Sequence, residues 1–146
     1  MYELKEIEIR YDRTIPTSCS IICSSEDAER IFRGYWKMIS INESSNVLYL
    51  DQKNQVIGIQ QLSIGGINST VVDVRLILAT ALKCLAVGII LAHNHPSGNL
   101  KPSEVDKKLT ERIKAACQFH DIRFLDNLIL SPQEGQYFSF ADNGMI

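Results

Sequence analysis

Two histidines, His93 and His95, stand two residues apart at the end of a strongly apolar run. In extended backbone, residues i and i+2 project to the same side, so both imidazoles can converge on one point. Asp106 follows eleven residues after His95, beyond a turn signalled by Pro96 and Gly98. Two imidazoles and a carboxylate are ligands that zinc accepts, with a fourth position left for water. The spacing therefore predicts an open zinc site.

Asp106 has a second interpretation. Residues 103–106 read SEVD, which is close to a helix capping box with Asp in place of the preferred Glu or Gln. In that interpretation Ser103 and Asp106 serve only to begin a helix. The position of the histidines favours ligand binding, since α/β proteins tend to bind ligands where a central strand ends. Both interpretations stay open at this point.

The pattern of apolar residues predicts the elements that would position this cluster. Strands are predicted at residues 3–11, 46–51, 56–64, 87–93, 121–131 and 137–141. Helices are predicted at residues 24–38, 74–86 and 103–119. The almost unbroken apolar segment 87–93 is typical of a central strand buried on both faces. Because strands and helices are interleaved, we expect an α/β fold of three layers, with a mixed β-sheet flanked by helices.

Length and composition indicate one folded domain that spans residues 1–146. The chain is 45% hydrophobic and 22% charged, which supplies a core and excludes a disordered chain. Its net charge of -2 gives no overall positive field, so direct binding to nucleic acid is not expected. The longest strongly apolar run, residues 85–92, is far shorter than the ~20 residues that span a bilayer. We therefore expect a cytoplasmic protein that does not bind membranes.

The four cysteines, Cys19, Cys23, Cys84 and Cys117, are scattered along the sequence. Their spacing matches neither a disulfide framework nor a zinc ribbon. They are interpreted as small buried hydrophobic residues in a reducing compartment.

Several sequence stretches together resemble a known family. The string HNHPSG at residues 93–98, followed by Ser103 and Asp106, is similar to the motif of the JAMM (MPN+, JAB) metalloproteases. The particular residues of this string resemble those of the bacterial RadC-like branch. Further matching stretches are VLYLD at 47–51, VDVR at 72–75, LDNLIL at 125–130 and SFAD at 139–142. The resemblance implies a cytidine-deaminase-like JAB/MPN architecture.

The resemblance also implies roles for individual residues. His93, His95 and Asp106 would bind Zn²⁺, and Ser103 would position or stabilise an oxyanion. Glu43, eight residues before Asp51 as in the family, would be the general acid and base.

Glu43 has an alternative interpretation as an ordinary exposed loop carboxylate, because Asn42, Ser44 and Ser45 beside it are typical of loops. Glu104 is a fallback base, although a position beside Ser103 fits a role at a helix start better.

The implied activity is hydrolysis of an amide or isopeptide bond in a peptide or modified-protein substrate. The alternative is a non-catalytic or DNA-repair-associated RadC-like module that acts by binding and meets nucleic acid through repair partners. A nuclease is disfavoured because phosphodiester hydrolysis usually employs two metals or a carboxylate-rich site. A cytidine deaminase is not supported, since no P-C-x-x-C follows the histidines.

Two departures from the family pattern bear on these expectations. Asn127 stands where the family commonly has histidine. The helix-hairpin-helix module that often precedes a RadC-like domain is not expected in this sequence.

Edge strands could pair between chains, so a homodimer is also one of our expectations.

Overall fold

The computed structural model describes residues 1–17, 19–64 and 72–146. The elements in these ranges are α1 (Ser25–Tyr35), β1 (Ser44–Leu50), β2 (Val56–Ile64), α2 (Val74–Lys83), β3 (Gly88–Asn94), α3 (Glu104–Gln118), β4 (Arg123–Leu130) and β5 (Tyr137–Ser139). The five strands form one sheet in the order β2-β1-β3-β4-β5. Only β3 and β4 pair in parallel, and the other neighbours are antiparallel. The predicted α/β fold with a mixed sheet is confirmed.

Side chains that alternate along the central strands divide the interior into two cores, one on each face of the sheet. The α2/α3 core includes Val47, Tyr49, Ile77, Ala81, Ile89, Leu91, Ile113 and Cys117. The α1 core includes Ala28, Ile31, Phe32, Leu48, Leu50, Ile90, Ala92, Leu128 and Leu130. All seven residues of β3 are buried, which explains its unbroken apolar sequence. Helices therefore cover both faces, as the three-layer prediction requires.

The strand predicted at residues 3–11 is wrong. Residues 1–17 contain no strand or helix, and Leu4 and Ile7 are 98% and 89% exposed. The first β-bridge along the chain is at Ile21, which forms an isolated antiparallel bridge with Gln55. Alternation creates a strand only where a neighbouring edge supplies hydrogen bonds, and Pro16, between the segment and this bridge, has no N–H to donate.

Two smaller differences concern α2 and the cysteines. The helix predicted at 74–86 ends at Lys83, and Leu85 adopts a left-handed φ of 56° in the turn that leads into β3. All four cysteines are free, and Cys117 is buried, Cys19 and Cys84 are half-buried and Cys23 is exposed, so the expectation of burial is confirmed for Cys117 alone. Within the described ranges, no helix is long and apolar enough to cross a bilayer.

Candidate metal centre

The start of β1 lies beside the end of β3, and the candidate site is built where they meet. These antiparallel strands pair Ser45 with His93. Glu43 directly precedes β1 and His95 directly follows β3, so both lie next to this pair. His93 projects to the same face as Ile89 and Leu91, since alternate residues of a strand share a face. The α2/α3 core lies further along that face.

Three of the predicted residues contact one another directly. The Nε2 atoms of His93 and His95 are 3.2 Å apart. Asp106 places Oδ1 3.2 Å from Nε2 of His93 and Oδ2 3.7 Å from Nε2 of His95. Glu43 lies on the same histidines, because its carboxylate and the two imidazoles each offer an atom within 4.8 Å of the others. Glu43 and Asp106 thus each lie beside the two histidines, and the group with metal-binding spacing is Glu43, His93 and His95.

These separations match the spacing of ligands around one ion. In a tetrahedral site with metal–ligand bonds of about 2.1 Å, neighbouring ligand atoms lie about 3.4 Å apart. The nitrogen–nitrogen distance and the shorter nitrogen–oxygen distance, both 3.2 Å, fall close to that value. His93 is 3% exposed and Asp106 is 9% exposed, so water competes little for their ligand atoms. The donor set fits a divalent metal that accepts nitrogen and oxygen.

Asp106 both caps α3 and faces the histidines. Ser103 is the N-cap of α3, and its Oγ accepts a hydrogen bond from the backbone N–H of Asp106 at 3.1 Å. In return, Oδ2 of Asp106 accepts from the backbone N–H of Ser103 at 2.8 Å. Oδ1 is left to face His93. The capping box therefore orients the carboxylate toward the histidines.

The charge state of Asp106 suits metal binding. Burial opposes ionisation of this carboxyl, but the hydrogen bond and charge of His93 and the bonds from Ser103 outweigh it and hold the pKa of Asp106 well below its usual range. The group is therefore a carboxylate at neutral pH, which is the form that binds metal.

His95 is held with its Nε2 available. Its Nδ1 lies 2.6 Å from the carbonyl oxygen of Asn99, and because a carbonyl only accepts, Nδ1 carries the proton. In the neutral ring, the lone pair is then on Nε2, on the side of His93 and Asp106. The turn that brings Asn99 back to the ring passes through Gly98, whose φ of 80° favours glycine.

Comparison with known proteins identifies the family. The family model of the RadC-like JAB domain matches residues 22–145. This chain belongs to the RadC-like JAB domain family. The predicted resemblance is confirmed, and the mixed sheet with helices on both faces agrees with the JAB fold.

Curated relatives of this JAB domain are identical to it at close to half of the aligned positions. A UPF0758 protein of Flavobacterium johnsoniae is 45% identical over 124 residues, which cover 85% of this chain and 53% of the relative. A UPF0758 protein of Porphyromonas gingivalis is 48% identical over 100 residues, covering 68% of this chain and 44% of the relative. The chain thus spans about half the length of the curated relatives it matches.

The JAB domain holds the loop that carries Glu43 with a residue that sequence reasoning passed over. Asn94 lies between the two histidines and is fully buried. Its Nδ2 donates to the carbonyl oxygens of Ile39 and Asn42 at 2.7 and 2.8 Å, and its Oδ1 accepts from the backbone N–H of Ser44 at 2.8 Å. Glu43 is thus half-buried on a tethered loop.

A second buried amide supports the start of α3. Nδ2 of Asn127 donates to Oγ1 of Thr110 at 2.8 Å, and this hydroxyl donates to the carbonyl oxygen of Asp106 at 2.9 Å. Asn127 stands where the family pattern has histidine, so here an amide braces the turn that presents Asp106. The only sequence signal for Thr110 was a polar residue on the buried side of a helix.

Ser103 and Glu104 occupy the exposed start of α3. The Ser103 hydroxyl accepts one hydrogen bond at the N-cap, and its role toward an oxyanion stays a prediction. Glu104 accepts a hydrogen bond from Lys107 at 2.9 Å, and this bond lowers the pKa of Glu104. Glu104 therefore has a partner in the first turn of its own helix, which favours Glu43 as the base.

Proposed function

We propose that this JAB domain is a zinc-dependent hydrolase that cleaves an amide or isopeptide bond. One observation carries the proposal: two imidazoles and a capped carboxylate approach one another to 3.2–3.7 Å at the end of a buried strand, with Glu43 beside them. A site with three protein ligands leaves a position for water, as catalytic zinc sites do.

Zinc held by His93, His95 and Asp106 would lower the pKa of a water molecule toward ~7 and so supply a nucleophile at neutral pH. Glu43, which lies beside the histidines, would accept a proton from that water and pass it to the leaving amine. Ser103 uses its oxygen to accept the Asp106 N–H, so its own hydrogen is available to donate to a developing oxyanion.

We infer the substrate class from the donor set. Within the described residues, one group of His, Cys, Asp and Glu side chains with metal-binding spacing is found, and it consists of Glu43, His93 and His95. Phosphodiester hydrolysis usually needs two metals or a richer set of carboxylates, whereas peptide hydrolysis proceeds with one zinc, a base and an oxyanion donor. We propose a peptide or a modified protein as the substrate, and repair proteins or a second copy of the chain as partners.

Metal analysis is the first test. The chain purified without chelators is expected to contain about one zinc by mass spectrometry, and His93→Ala is expected to lose it. His120→Ala is the matched control, because His120 is an exposed histidine beyond the end of α3. Absence of stoichiometric metal from the wild-type chain would refute the proposal.

Turnover is the second test, measured on internally quenched peptides and on isopeptide-linked peptides. At saturating metal, Glu43→Gln is expected still to hold about one zinc, with an affinity reduced about tenfold, and to lose about 100- to 10,000-fold in turnover. Glu104→Gln, at an exposed carboxylate near the same histidines in sequence, is expected to retain it. A zinc-loaded chain whose biological function survives Glu43→Gln would instead indicate the binding module.

A further inference from the structure

We infer that Asn94 is a positioning residue, which fixes the carboxylate of Glu43 against the two histidines by holding both peptide groups that flank Glu43. The inference rests on the proposed function, because it assigns Asn94 a role in the same metal site. It concerns a residue between two ligands that is not itself a ligand.

The strand geometry sends Asn94 to the opposite face from the histidines. His93 and His95 project toward the α2/α3 side, so the residue between them projects toward the α1 side. The loop from α1 to β1, residues 36–43, approaches the sheet on that side. One short strand segment therefore presents metal ligands on one face and a loop anchor on the other.

The hydrogen bonds of Asn94 bracket Glu43. The carbonyl of Asn42 belongs to the peptide group before Glu43, and the N–H of Ser44 belongs to the peptide group after it. Asn94 binds the first with Nδ2 and the second with Oδ1, both at 2.8 Å. With both flanking peptide groups fixed, the direction in which the Glu43 side chain leaves the backbone is fixed as well.

The amide of Asn94 has a single orientation that satisfies its partners. An amide nitrogen offers two N–H donors, which here meet the carbonyls of Ile39 and Asn42, and its oxygen accepts from an N–H. Exchange of the amide nitrogen and oxygen would oppose oxygen to oxygen and N–H to N–H. Aspartate at this position lacks both required donors, and leucine lacks the acceptor as well, so asparagine is the residue type that fits.

Amide hydrogen exchange of the full chain tests whether Asn94 holds the loop. Asn94→Ala is expected to speed exchange in residues 39–44 by at least about tenfold while circular dichroism stays native. Asn127→Ala is the matched control, since Asn127 is an equally buried amide that contacts α3 instead of the loop. If Asn94→Ala fails to fold, Asn94→Ser serves in its place. Unchanged exchange in residues 39–44 overturns the inference.

A double-mutant cycle on zinc affinity tests whether that tether acts through Glu43. Asn94→Ala and Glu43→Gln are each expected to weaken zinc binding about tenfold, as supporting residues of metal sites do. The double variant is expected to be no weaker than either single one. A loss equal to the product of the single effects, or a loss in Asn94→Ala when Glu43→Gln binds zinc normally, contradicts the inference.

The two proposals fail in different ways. A wild-type chain that binds no zinc refutes the proposed function, whereas the exchange measurement on residues 39–44 needs no metal. A chain that binds zinc and loses turnover in Glu43→Gln, but shows independent effects of Asn94 and Glu43, supports the proposed function and refutes the role of Asn94.

Discussion

Helices α1 and α3 begin with the same capping box, yet only one of the two aspartates faces the histidines. A serine N-cap and an aspartate three residues later exchange two hydrogen bonds in each helix, Ser24 with Asp27 and Ser103 with Asp106. Asp27 directs Oδ2 to backbone N–H groups at the start of its own helix. Asp106 shares its carboxylate between the N–H of Ser103 and the ring of His93.

The difference between these boxes lies in what surrounds them. Helix α3 follows the turn that leaves β3, so its first turn folds back over the histidines, whereas α1 packs on the other face. The seventh residue after the N-cap also differs, since Thr110 of α3 braces Asp106 and its counterpart in α1 is the apolar Ile31. A capping box therefore fixes the direction of a carboxylate, and the neighbouring strand decides what that carboxylate meets.

Removal of each capping aspartate should give the largest difference between the two capping boxes, and this difference is in zinc affinity. Asp106→Ala is expected to weaken zinc binding by more than about 100-fold, because a ligand contributes more than the residues that support it. Asp27→Ala is expected to leave zinc affinity unchanged. Competition with a chromophoric chelator measures both. Equal affinities in the two variants would mean that the α3 box is only a cap.

Thr110→Val should show that the α3 box depends on support that α1 lacks. The substitution removes the bond to the Asp106 carbonyl and leaves the amide of Asn127 unpaired, so a loss of about 1–3 kcal/mol in the free energy of unfolding is expected. Urea unfolding measures it. Thr110→Ser keeps the hydroxyl and serves as the control, and an equal loss there would assign the effect to packing.

Substitution of the two N-cap serines should show what the boxes have in common. Ser24→Ala and Ser103→Ala are each expected to lower the free energy of unfolding by about 1 kcal/mol, as loss of an N-cap does. Thermal unfolding of both variants provides the comparison. Only Ser103→Ala is expected to reduce turnover, so a similar reduction in Ser24→Ala would argue against a role of Ser103 at the site.

The pH dependence of stability of the metal-free chain should show the smallest difference between the two capping aspartates. Backbone N–H groups of Cys23 and Ser24 lower the pKa of Asp27, and the pKa of Asp106 lies further below the ordinary value. Between each lowered pKa and about 3.9 the unfolded chain binds more protons, so stability falls as pH falls through that window. Asp27→Asn and Asp106→Asn should each reduce the fall in the free energy of unfolding at acid pH, and Asp106→Asn should reduce it more. Urea unfolding at several acid pH values measures this fall, and an unchanged fall in both variants would contradict the expectation.

Spacing in the sequence was sufficient to predict that His93, His95 and Asp106 lie together, but not which residues support them. His93, His95 and Asp106 follow from strand periodicity and a capping pattern, both of which are local. Asn94 and Thr110 carry no such signal, because their partners are backbone groups or residues of other elements. The strand predicted from the alternation of residues 3–11 is wrong for the same reason, since a strand also requires a neighbouring strand that only the folded chain can supply.

The pairing of β1 with β3 bears on the order in which this protein folds. Hairpin β1–β2 closes a short turn, whereas Ser45 can meet His93 only after the chain has closed a loop that contains β2 and α2. Closure of such non-local contacts is slow relative to local ones. Glu43 reaches the histidines only through that pairing, and Asp106 only after α3 forms. Zinc uptake followed during refolding would therefore report the completion of folding and not its first steps.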